Sequence, residues 1–130
     1  MTQLPALVTL LTVLLLFGTQ WAVGRARGKY EIKAPAVSGH PAFERAYRVQ
    51  MNTLEQAVLF LPTLWLAASY GFSGWAGIAG LVWLVGRGWY AVAYLKDPAK
   101  RGPGFALAMF GWIALLVMAG IGVVRAMSAG

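Results

Sequence analysis

The hydrophobic positions of this chain fall into long unbroken runs rather than alternating stripes. Leu4–Val23 holds 20 residues without a charge, and Phe105–Val124 holds another 20. About 20 apolar residues cross a hydrocarbon core of about 30 Å. Each run therefore predicts a membrane-spanning helix, the first over residues 4–27 and the last over 104–126. Between them, Phe43–Tyr70 begins as a charged, amide-rich rod and turns apolar from Ala57 onward, which predicts one helix over 43–70. Pro62 lies inside it and is expected to kink it or loosen one turn, as membrane helices tolerate. After a turn at Tyr70–Gly74, Trp75–Leu95 predicts a third helix, with Gly77, Gly80 and Gly86 marking close contacts with neighbours. Lys29–Pro41 and Lys96–Pro103 are broken by proline and glycine and read as loops. The predicted architecture is an all-α membrane protein, a four-transmembrane-helix bundle forming a single domain over residues 1–130.

Composition agrees. The chain is 59% hydrophobic and 12% charged, against about 25% charged in ordinary soluble domains. The net charge of +7 would suggest nucleic acid in a soluble protein. Here the basic residues border the spans, so the reading is topology and no nucleic acid. Arg25, Arg27, Lys29, Lys33, Lys96, Lys100 and Arg101 all fall at the first and third connections. The positive-inside rule puts those connections in the cytoplasm and both termini on the opposite side. A cleaved signal peptide would carry its positive charge before the apolar run, and here the basic cluster follows it, so the first helix is read as retained. The membrane itself is either a bacterial inner membrane or the endoplasmic reticulum.

Chemistry is bounded by what is missing. There is no cysteine, so thiol chemistry needs a thiol from outside, and one histidine cannot build a multi-histidine metal site. No metal is expected, and His40 is read as a solvated loop residue. Gly24–Lys29 has the glycines and lysine of a phosphate loop, but it is one residue short and Tyr30 stands where Ser or Thr is needed.

The polar residues inside the spans are more telling. At about 100° per residue, Arg45, Arg48, Asn52 and Glu55 form one stripe, with Gln56 at its edge and Gln50 on nearly the opposite side. Glu55 lies about 18 Å along the helix from Phe43, close to mid-membrane, where it must be paired, protonated or solvated. On the third helix Trp83, Arg87, Tyr90 and Tyr94 share a face, and Arg101 follows in the loop. Guanidinium forks bind carboxylates, and a lone carboxylate suits an ammonium. A small zwitterion rich in carboxylates fits, and glutathione is one; it also carries the missing thiol. The alternative is that both stripes only glue helices or subunits together. By themselves Tyr90 and Tyr94 read as interfacial anchors, and the tryptophans as packing or belt residues.

Phe43-Glu-Arg-Ala-Tyr-Arg-Val-Gln-Met-Asn-Thr-Leu-Glu55, then Leu59-Phe-Leu-Pro-Thr-Leu-Trp-Leu-Ala67, resembles the signature of the MAPEG superfamily, membrane proteins of eicosanoid and glutathione metabolism. The resemblance extends to Ala26–Tyr30, Gly86–Tyr90, Tyr94 and Lys100-Arg101. It implies a homotrimer that binds glutathione as co-substrate between subunits, in contact with membrane lipid and acting on a small lipophilic electrophile. Carried over by position, the glutathione contacts are Arg27, Arg48, Gln50, Asn52, Glu55, Tyr90 and Tyr94, with Arg87 as a secondary candidate. The resemblance likewise implies that Arg101 is the catalytic residue that stabilises the thiolate. Gln56 replaces a tyrosine found in several relatives. Gly28 replaces the second arginine of the leukotriene-conjugating branch, and no long insert of the prostaglandin E synthase type separates the helices. These departures favour a general microsomal-type glutathione transferase, with peroxidase activity toward lipid hydroperoxides as an extension. The rival within the superfamily is a non-catalytic lipid-binding scaffold. A small transporter or assembly factor is the rival outside it.

Overall fold

A computed structural model describes residues 3–130. It contains four α-helices: α1 Leu4–Tyr30, α2 Pro41–Ala67, α3 Ser73–Lys96 and α4 Gly102–Ala129. Among the described residues, three helical stretches are long and apolar enough to cross a membrane: Leu4–Tyr30, the 56-residue Pro41–Lys96, and Pro98–Ala129. As one straight rod the middle stretch would be about 84 Å long. It is instead two helices folded back on each other, for two reasons. The backbone leaves helical geometry at Tyr70 and Gly71, and Phe60 of α2 stacks on Trp83 of α3 with ring centroids 3.8 Å apart and planes 5° from parallel.

Ala68–Phe72 forms a single wide turn between α2 and α3, so α2 ends at Ala67 rather than running on to Tyr70. Gly71 has φ +108°, a conformation that side chains resist. The space around it is open, so Gly71→Ala acts through the backbone alone. It is expected to lower stability by about 1–3 kcal/mol, read as a lowered melting temperature in detergent; an unchanged melting point contradicts that role.

α3 and α4 pack most closely, α1 lies against α2 and α3, and α4 also touches α2. The main core gathers Val8, Phe60, Leu64, Trp83 and Leu115. α2 runs through Pro62 without ending. Proline has no N–H to return to the carbonyl four residues back, and polar side chains reinforce the backbone beside that gap. The Leu59 carbonyl accepts from Thr63 Oγ1 at 2.7 Å and from Trp112 Nε1 of α4 at 3.1 Å. Trp65 Nε1 donates to Thr9 Oγ1 of α1 at 2.9 Å.

At the other end of the bundle, α1 continues through the basic cluster to Tyr30, so Arg27 and Lys29 sit on its last turn. Arg27 Nη1 donates to the Ala36 carbonyl at 2.8 Å, and its guanidinium lies 4.9 Å from the Phe43 ring centroid. The arginine thus ties the connector to α2. His40 is not a free loop residue as expected. It is the N-cap of α2, its Nδ1 accepts from the Ala42 N–H at 3.1 Å, and its ring stacks on Tyr30 at 3.8 Å. A cap side chain satisfies one of the orphan donors at a helix start, and Pro41 in the first turn needs none.

Candidate functional site

The site is built by α2 descending from its cap and α3 returning to the same end. Tyr47, Arg48, Met51, Asn52 and Glu55 of α2, Tyr90 and Tyr94 of α3, and Arg101 at the start of α4 line one polar groove of about 470 Å³. Small-molecule sites run about 300–1,000 Å³. The ring centroids of Tyr90 and Tyr94 are 5.6 Å apart. Arg101 stands at the groove rim, 5.9 Å from the Tyr94 centroid, and Nη1 donates to the Pro98 carbonyl of its own turn at 2.7 Å. It also immediately precedes α4, whose N-terminal dipole adds positive potential at the same rim.

Of the residues singled out from the sequence, Arg48, Asn52, Glu55, Tyr90, Tyr94 and Arg101 come together here. Arg27 is not in the groove of its own chain, because the connector holds it. Gln50 lies outside the lining, as its opposite position on α2 requires, and Arg45 also lies outside it. Trp83 is core, not site.

The face of α2 that opens is rotated away from Arg45. The reason lies in Arg87. This side chain is 1% exposed, and its Nη2 donates to Asn52 Oδ1 at 2.9 Å and to Thr53 Oγ1 at 3.0 Å. α3 therefore covers the Thr53 flank of α2, and the groove can open only on the opposite flank. That exposes Tyr47 and Met51, which sequence reasoning passed over. Their spacing of four to Glu55 was the available signal. Arg87 itself lies beneath the groove rather than in its lining, with its guanidinium carbon 4.0 Å from the Tyr90 ring centroid. Thr53, fully buried, is a third residue that the sequence did not flag.

Chemically the groove offers two cations, one carboxylate, one amide and several phenols on adjacent helix faces. That set has donors for carboxylates and an acceptor for an ammonium in one place. Among the described residues no group of three His, Asp or Glu side chains could hold a metal.

A profile of the MAPEG family matches residues 5–121. A Synechocystis protein of uncharacterised function is 48% identical over 113 residues, covering 87% of this chain and 82% of its own length. Human microsomal glutathione S-transferase 2 is 43% identical over 98 residues, 75% of this chain and 66% of that protein. Leukotriene C4 synthase of Cavia porcellus is 42% identical over 120 residues, 92% of this chain and 79% of the synthase. The region matched to the family takes in every residue of the groove, and the chain therefore belongs to the MAPEG family.

Proposed function

We propose that this protein is a membrane-bound glutathione transferase that joins glutathione to lipophilic electrophiles. The observation that carries the reading is the meeting of Arg48, Asn52, Glu55, Tyr90, Tyr94 and Arg101 in one groove at the basic end of the bundle. Kinship with a microsomal glutathione S-transferase and a leukotriene C4 synthase supports it. In this reading Arg48 and the Asn52 amide take carboxylates, and Glu55 takes the ammonium. Arg101 holds the sulfur as a thiolate. A free thiol has a pKa near 8.5, and a neighbouring cation lowers it. Arginine stays protonated, so its contribution is electrostatic and no proton passes through it.

The thiolate attacks an electrophilic carbon of a substrate arriving from the bilayer, forming the thioether as the leaving group or opened ring takes the electron pair. Holding both reactants at one membrane face supplies proximity. Peroxidase activity is the extension. The thiolate attacks the distal oxygen of a lipid hydroperoxide and releases the alcohol, and a second glutathione converts the resulting sulfenic acid to the disulfide and water. A homotrimer is part of the proposal. Glu55 is exposed in the single chain and Gln50 points away from the groove, so a neighbour packed on α2 would close one site and bring Gln50, and with it Arg27, to another. The groove end of the bundle is assigned to the cytoplasm on the loop charges.

A non-catalytic lipid scaffold has no use for a thiol-stabilising cation beside a tripeptide-binding groove, which is the reason to rank it second. Detergent-purified protein tests the choice. Glutathione is expected to raise the melting temperature and to be conjugated to chlorodinitrobenzene; no shift and no turnover would sink the reading. Glu55→Gln is expected to weaken glutathione about tenfold, the scale of a lost charge-assisted contact. An analogue lacking the amino group should be weakened far less. Equal losses for both ligands refute the ammonium pairing.

A further inference from the structure

The least economical residue in the bundle is Arg87. The residue is 1% exposed inside a membrane span, the Asn52 and Thr53 oxygens that accept from its Nη2 are neutral, and its Nε has no hydrogen-bond partner among the described residues. A buried charge without a countercharge is costly and marks function more often than stability. Helix gluing does not require it, because the Phe60–Trp83 stack and the main core already join α2 to α3.

What Arg87 does follows from hydrogen-bond polarity. Arginine only donates. The atom of Asn52 that faces it must therefore be the carbonyl oxygen, as the 2.9 Å contact has it. An amide has one oxygen end and one NH2 end. With its oxygen committed inward, Asn52 turns its NH2 toward the groove it lines. The ordinary ambiguity of an asparagine amide is removed by the residue behind it. The floor of the groove then presents two donors and no acceptor at this point. Thr53 accepts from the same Nη2, and the Tyr90 ring lies 4.0 Å from the guanidinium carbon, so both help hold that nitrogen against Asn52 Oδ1.

We propose that Arg87 is a positioning residue for ligand specificity: it locks the Asn52 amide so that its NH2 donates to one carboxylate of glutathione. The proposal rests on the glutathione reading above and deepens it. Arg87 never touches the ligand. The bound carboxylate is the countercharge that the buried guanidinium lacks in the empty protein.

The test uses full-length protein in detergent and three probes: glutathione, its glycine-carboxylate monoamide and its γ-glutamyl α-carboxylate monoamide. Arg87→Met is expected to weaken glutathione about tenfold, the scale of a hydrogen bond to a charged group. The monoamide that lacks the gripped carboxylate should change by less than about twofold, because its contact is already gone. Asn52→Asp keeps acceptors for Arg87 but removes the donors, and it should show the same selectivity. A uniform loss across all three probes, or no loss, overturns the proposal. Where Arg87→Met does not fold, Arg87→Lys, which keeps the charge but not the planar fork, is read against the same three probes and decides in its place.

A ligand-free readout stands beside these. The side-chain amide NMR signals of Asn52 should move toward those of a freely rotating amide in Arg87→Met, or in Arg87→Lys, which keeps the charge but not the planar fork. Unchanged signals overturn the assignment. If the wild-type protein does not bind glutathione, the functional reading fails, and these amide signals alone uphold or overturn the role of Arg87.

Discussion

Arg101→Ala is expected to lower glutathione-dependent turnover about tenfold or more at neutral pH while changing glutathione affinity by less than about threefold. The direction follows from the thiol. A cation at the groove rim stabilises the thiolate and lowers the thiol pKa; removing it returns the bound thiol toward about 8.5. Were the bound thiol held near 7, the thiolate fraction at pH 7 would fall from about half to about 3%. The sign gives a pH profile. The deficit is largest below the lowered pKa and shrinks as pH rises past about 9, where even an unassisted thiol is ionised. Affinity is expected to survive because the proposed reading gives the carboxylate and ammonium contacts to Arg48, Asn52 and Glu55, which line the groove from another helix. Ultraviolet thiolate absorbance on mixing reads the effect without an electrophile. A mutant that forms thiolate as readily as wild type at pH 7 shows that the sulfur lies elsewhere.

The second large effect is structural. α3 and α4 meet backbone to backbone, and small residues make that possible. A Cβ on Gly111 would lie 2.7 Å from the Trp83 nitrogen and 2.8 Å from the Ala79 oxygen, and one on Gly104 would lie 2.5 Å from the Tyr90 nitrogen and 2.9 Å from the Gly86 oxygen. Nothing flexible can yield at either place, so the helices must part. In membranes, where helix association depends on close packing rather than on hydrophobic exclusion, both Gly111→Ala and Gly104→Ala are expected to cost about 1–3 kcal/mol or more. Gly18→Ala, with open space around the new atom, should stay within about 0.5 kcal/mol.

The two tight glycines differ in consequence. Gly104 presses on the backbone of a groove residue, Tyr90, whereas Gly111 presses on core. Gly104→Ala should therefore also raise the KM for glutathione, and Gly111→Ala should leave it unchanged at a temperature where both remain folded. Equal KM changes for the two variants would show that the α3–α4 contact does not position Tyr90.

Much of this molecule is legible in its sequence. Apolar runs, their lengths and the proline and glycine breaks announce helices because a helix is a local structure and the bilayer sets its length. The grouping of Arg48, Asn52 and Glu55, and of Tyr90 with Tyr94, follows from helical spacing alone. Arg101 comes from its place in the loop beside them and from the family signature.

What spacing could not say is how each helix is rotated against its neighbours. Periodicity defines a face but not what covers it. α3 sits on the Thr53 flank of α2, and that one rotation admits Tyr47 and Met51 to the groove, leaves Arg45 out and buries Arg87 beneath Asn52. The same holds for contacts between residues far apart in sequence. His40 became a helix cap stacked on Tyr30, and Arg27 became a tie for its own connector. The sequence determined the helices and the chemical inventory, because both depend on neighbours within a few residues. The packing of α2, α3 and α4 decided which of those groups face one another, because that depends on the fit of whole helix surfaces.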